Sequence, residues 1–108
     1  MIPVTTSPYS NSARRQSEIL DAAVRLSEQH GYRQITRDAV AQAAGCGYGS
    51  VNANFNGMPA LRRAIVGHAV KNQNLIILAQ FLADPDPDPA IPRLSMSLRR
   101  AVLAFLEG

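Results

Sequence analysis

Four side chains within seven residues, Tyr48, Ser50, Asn52 and Asn54, concentrate hydrogen-bonding groups in the middle of this 108-residue chain. Asn can donate and accept at once along the edge of adenine, a pairing worth about 1–3 kcal/mol of discrimination against other bases. Ser and Tyr hydroxyls reach bases or phosphates. No nucleophile sits beside a base, and no pair of carboxylates stands at catalytic spacing. The single cysteine, Cys46, allows no internal disulfide, and with two histidines it makes no metal site. The sequence therefore predicts no catalytic residue, no metal and no cofactor, and points to a surface that reads a partner.

The elements that would hold these groups lie between Thr36 and Phe55, TRDAVAQAAGCGYGSVNANF. Val40, Ala41 and Ala44 give a first short helix an apolar stripe, with Thr36 as its N-cap and Asp38 favourably placed in its first turn. Gly45, Cys46 and Gly47 break it. A second helix restarts at Tyr48, with Val51 and Phe55 four apart on its inner side. Two helices joined by a glycine turn, the second presenting polar side chains, is the arrangement that sets a recognition helix in the DNA major groove.

Around this pair the chain reads as all-α. Met1 to Ser12 is polar and without period, a loose arm. From about Ala13 to His30, Ile19, Ala22, Ala23 and Leu26 recur at helical spacing; Ser10, Asn11 or Ser12 would cap the start and Gly31 would end it. Arg14 and Arg15 then fall in the first turn. After the turn Asn56-Gly57-Met58-Pro59, one long apolar pattern runs from Leu61 to Leu82, a helix of roughly 24 residues. Its second half is apolar on almost every side. Residues 84–92, DPDPDPAIP, read as a stiff acidic linker without helix. Arg93 to Glu107 is amphipathic again. The expected organisation is an arm over 1–12, a DNA-binding domain over 13–57 and a helical dimerisation region over 58–108.

The net charge is +3, and ten of the eleven basic residues are Arg, the side chain whose planar fork suits phosphate and base edges. No signal peptide and no apolar run long enough to span a membrane is visible, so a cytoplasmic protein is expected.

From about Ser17 to Leu61 the chain resembles the DNA-binding domain of the TetR family of bacterial transcriptional repressors. Carrying the resemblance are Ile19-Leu20-Asp21-Ala22-Ala23, Leu26, Gly31-Tyr32, Ile35-Thr36, Val40-Ala41, Ala44-Gly45, Gly49, Val51, Phe55 and Leu61. It implies a three-helix domain whose second and third helices form the helix-turn-helix, followed by a fourth helix leading to a dimerisation body. Three positions depart from the family's pattern: Gly47 where Ser or Thr opens the recognition helix, Asn52 where Tyr is usual, and Met58 where Lys is frequent. A typical member also continues for about another hundred residues, which leaves a small-molecule pocket doubtful here.

The resulting expectation is a dimeric repressor that occludes a promoter. Tyr48, Ser50, Asn52 and Asn54 would face the major groove of a double-stranded operator. Arg14, Arg15, Thr36, Arg37 and the backbone N–H of Gly47 would hold phosphates and set the register. Leu75, Leu78, Phe81, Leu82, Leu98, Val102 and Phe105 would form the homodimer core. The alternative is a small helical module that keeps the fold and binds a protein instead.

Overall fold

The apolar residues of the first helix, Ile19, Ala22, Ala23 and Val24, face one core to which every later element contributes. The structure is a computed structural model that describes residues 8–108, with side chains from Ala13 onward. The first seven residues of the expected arm lie outside this range. Among the described residues all regular structure is helical: α1 (Pro8–His30), α2 (Arg37–Ala44), α3 (Tyr48–Phe55), α4 (Met58–Asn72), α5 (Leu75–Ala83) and α6 (Met96–Glu107). Helix α1 packs against α2, α3, α4 and α5, while α6 lies on α5.

Helix α1 starts earlier than its periodicity predicts. Pro8, whose fixed φ suits a first helical position, opens it. Ser10, Asn11 and Ser12 are therefore helical rather than capping, and Arg14 and Arg15 lie in the second turn. Gly31, at φ +96°, closes it as expected.

The single long helix after Phe55 is two helices. Gln73 adopts the left-handed conformation at φ 55°, and the N–H groups of Gln73 and Asn74 return to the carbonyls of Val70 and Ala69. That closes α4 with a Schellman-type cap. Asn74 then starts α5 by accepting from the Ile77 N–H at 3.3 Å, while its amide donates to Glu28 at 2.6 Å. The break turns α5 back over α1. Gln80 fastens it there, accepting from the Tyr32 N–H and donating to the Ser27 carbonyl, each at 2.8 Å.

The break also changes how the apolar end of the chain is covered. Leu78 and Val102 are fully buried and Phe81 nearly so, all within the core of one subunit. The chain itself encloses them. Leu75, Leu82 and Leu98 pack half-buried against the same core, and Phe105 remains exposed. Met96, Leu103 and Leu106 are exposed beside it on α6.

Residues 84–95 form a strap rather than a free linker: 84–92 lack helix as expected, and α6 starts at Met96 rather than Arg93. Ile91 and Leu94 enter the core. Asp84, its side chain only 6% exposed, accepts from the Tyr32 hydroxyl at 2.5 Å and from Arg33 at 3.0 Å. Asp88 pairs with Arg63 of α4 at 2.9 Å. Acidic residues that suggested a solvated spacer are thus the pins that hold α6 to the remainder of the fold.

Candidate nucleic-acid interface

The turn between α2 and α3 depends on two glycines of different kinds. Gly45 sits at φ 70°, where a side chain is strained, and lets the Gly45 and Cys46 N–H groups bond back to Gln42 and Ala41. Gly47 is the N-cap of α3 in ordinary extended backbone, φ −76° and ψ 158°, and supplies no side-chain cap. Its role is an omission: the first N–H groups of α3 keep no side-chain partner from the cap and stay available to an anion. Thr36 caps α2 as expected, accepting from the Ala39 N–H at 3.1 Å, so its own hydroxyl proton still points to other acceptors.

Val51 and Phe55 anchor α3 in the core, and Met58 packs half-buried behind them. Opposite that anchor on the helical wheel lie Gly49 and Ala53, both exposed. These were not among the expected contacts, because neither side chain carries a hydrogen-bonding group. The signal was present in the spacing: each is two residues from an anchor position, on the far face. Two small residues at the crest let the helix backbone approach a groove floor closely, and Ala can touch a thymine methyl.

Asn52 stands exposed beside this crest, while Tyr48, 53% exposed, sits at the N-terminal end of α3 against α2. Ser50 and Asn54 do not share that placement. Both are half-buried, and the Asn54 amide donates to the Ser50 carbonyl at 2.7 Å. Asn54 is turned onto its own helix, as short polar side chains in helices often are. Of the two asparagines, Asn52 is thus the exposed one, with Ser50 and Asn54 at its flank.

Helix α1 comes alongside at the other end. Gln16 donates to the Asn54 carbonyl at 3.1 Å, which places the third turn of α1 next to the last turn of α3. Arg14 and Arg15, just before Gln16 on α1, are exposed. On α2, Arg37 lies over the Tyr48 ring, 4.9 Å from guanidinium carbon to centroid, with Nη1 3.0 Å from the phenol oxygen. Of the expected phosphate-holding set, Thr36, Arg37 and Gly47 belong to α2 and the turn, and Arg14 and Arg15 to α1. Cys46 is a half-buried free thiol packed on the core behind the turn.

One concavity lies away from α2 and α3. An apolar groove of about 410 Å³ runs between α4, the strap and α6, lined by Val66, Gly67, Val70, Ile91, Leu94 and Leu98. It is open-sided and has no polar residue of α2 or α3 in its wall. No helix among the described residues is long and apolar enough to cross a membrane.

Residues 19–65 match the family profile of bacterial regulatory proteins, tetR family. The matched stretch runs from the first buried position of α1 through both helices of the turn to Ile65 of α4, so it includes every residue of the α3 surface. Neither the curated proteins nor the solved structures yield a significant match.

Proposed function

We propose that this chain, whose residues 19–65 form the N-terminal domain of the bacterial tetR-family regulatory proteins, is a sequence-specific DNA-binding repressor that acts as a dimer by occluding a promoter. One observation carries the reading: the family match coincides with an α3 surface that exposes Gly49, Ala53, Tyr48 and Asn52 while burying Val51 and Phe55. Helix α3 enters the major groove with its N-terminal end foremost. Asn52 reads a base edge, and Arg14, Arg15, Thr36 and the free N–H groups after Gly47 hold phosphates on either side.

Two copies must be held together for a two-fold operator. Since Leu78, Phe81 and Val102 are enclosed in their own subunit, the joining surface is α6, where Met96, Leu103 and Leu106 are exposed on one side and Phe105 is exposed near its C-terminal end. Occupancy of the operator then follows protein concentration and self-association rather than an inducer. The same apolar side of α6 favours the second reading, a module that docks on a protein.

Enrichment of bound duplexes from a randomised library, followed by titration at two salt concentrations, tests the proposal. A defined site should emerge, with affinity that falls steeply with salt. Asn52→Ala should cost about 1–3 kcal/mol on that site and relax one position of its sequence. Failure to enrich any site, with no salt-dependent retention on duplex DNA, leaves the protein-docking reading in its place.

A further inference from the structure

The contact between Arg37 and Tyr48 fixes more than the position of a ring. Arg37 has no acceptor, so in the 3.0 Å contact its Nη1 donates and the phenol oxygen accepts. Accepting from a cation polarises the hydroxyl, which makes its own O–H a stronger donor and its oxygen a poorer second acceptor. The guanidinium above the ring, 4.9 Å from the centroid, restrains the side chain that would otherwise sweep freely at the first position of α3. A Tyr alone could give or take a hydrogen bond; this Tyr is committed to giving one.

We infer that Arg37 is a positioning residue that converts Tyr48 into a directed donor for one major-groove acceptor, a purine N7, a guanine O6 or a thymine O4. This rests on the DNA-reading function proposed above. It assigns Arg37 a part different from phosphate gripping, and it makes base preference at one operator position depend on a residue that does not touch that base. The N-terminal place of Tyr48 on α3 favours a base edge over the phosphate backbone, because the first residues of a recognition helix are the ones directed at the groove floor.

The test uses the full chain and the site it enriches. Tyr48→Phe should erase the preference at one base pair and lower affinity for the enriched site about three- to tenfold, the range of one hydrogen bond. Deleting the major-groove acceptor of that base, with a 7-deazapurine or a pyrimidine lacking O4, should cost the wild type the same factor and cost Tyr48→Phe nothing further. Arg37→Met keeps the apolar stem and removes the donors; it should erase the same preference. Arg37→Lys retains a cationic donor group and should restore part of it. A phosphate-gripping Arg37 behaves differently: Arg37→Met would then weaken all sequences equally and reduce the salt slope by about one unit. That outcome, or an unchanged preference in Tyr48→Phe, overturns the inference while leaving DNA binding intact. A wild type that enriches no site overturns the function itself. Far-UV circular dichroism of each variant keeps loss of folding apart from loss of reading.

Discussion

Tyr32→Phe removes one oxygen and leaves the ring, which meets Phe81 edge-on at 6.3 Å. What disappears is the 2.5 Å hydrogen bond to the Asp84 carboxylate. A hydrogen bond to a charged group contributes about 1.5–3 kcal/mol. Asp84 keeps two other partners, Arg33 Nη1 at 3.0 Å and the Asp86 N–H at 2.9 Å, so the carboxylate is not orphaned. The lower part of that range applies, about 1.5–2 kcal/mol. For a domain of this size that corresponds to a melting temperature roughly 6–15 °C lower.

The pH dependence makes the prediction specific. Burial first, and then the hydrogen bond to Asp84, push the Tyr32 hydroxyl up to about 12. An unfolded Tyr ionises near 10. Tyr32 therefore contributes stability that is complete below pH 10 and lost as pH rises from there to about 12. Asp84 is held below the usual carboxylate range, chiefly by the hydrogen bond from Tyr32. Its contribution is present above the unfolded carboxylate range and lost as pH falls through the depressed value. Urea unfolding followed by circular dichroism should show the wild type ahead of Tyr32→Phe across neutral pH, with the two converging at both extremes and the denaturant slope unchanged. A neutral-pH difference below about 0.5 kcal/mol, the scale of ordinary surface substitutions, would refute the reasoning. So would a difference that is the same at pH 7 and pH 11.

Three further substitutions probe other parts of the fold. Asn74→Ala removes the cap of α5 and the contact with Glu28, and should destabilise by about 1–2 kcal/mol in urea unfolding. Gly47→Ser has room, since a side chain there meets nothing within 4 Å, and its hydroxyl would cap α3; a gain of a few tenths of a kcal/mol is expected, read as a small rise in melting temperature. Leu103→Glu places a charge on the exposed side of α6 and should shift sedimentation equilibrium toward the monomer, with chain stability changed by less than about 0.5 kcal/mol.

The bounds of α2 and α3 were legible because their signals are local. Thr36 caps three residues ahead, Gly45 supplies a left-handed turn, and Val51 and Phe55 repeat at one helical turn. The break at Gln73 was not legible, because apolar residues recur at helical spacing on both sides of it. Only Asn74 signalled a restart, and its second bond goes to Glu28, 46 residues away. The strap was misread for the same reason. Its Pro and Asp residues state that no helix forms, but not that Asp84 meets Tyr32 and Arg33, 52 and 51 residues earlier.

That difference decides which part of the dimer reading survives. Periodicity reports that a residue must be buried; it carries no information on whether the same subunit or another buries it. Leu78, Phe81 and Val102 satisfied the pattern and were assigned to a partner, yet α1, α4, the strap and α6 of their own chain enclose the core they join. An interface can be built only from apolar groups left over after that closure. On α6 these are Met96, Leu103, Phe105 and Leu106, of which Phe105 alone was anticipated. The turn that separates α4 from α5 thus has a consequence far from itself. By folding α5 back onto α1 it encloses much of the apolar surface that an unbroken helix would have left open, and in the proposed dimer the joining surface falls to α6. In the dimer proposed above, the strap links α6 to the helix-turn-helix, through Tyr32 and Arg33 holding Asp84 and Arg63 holding Asp88.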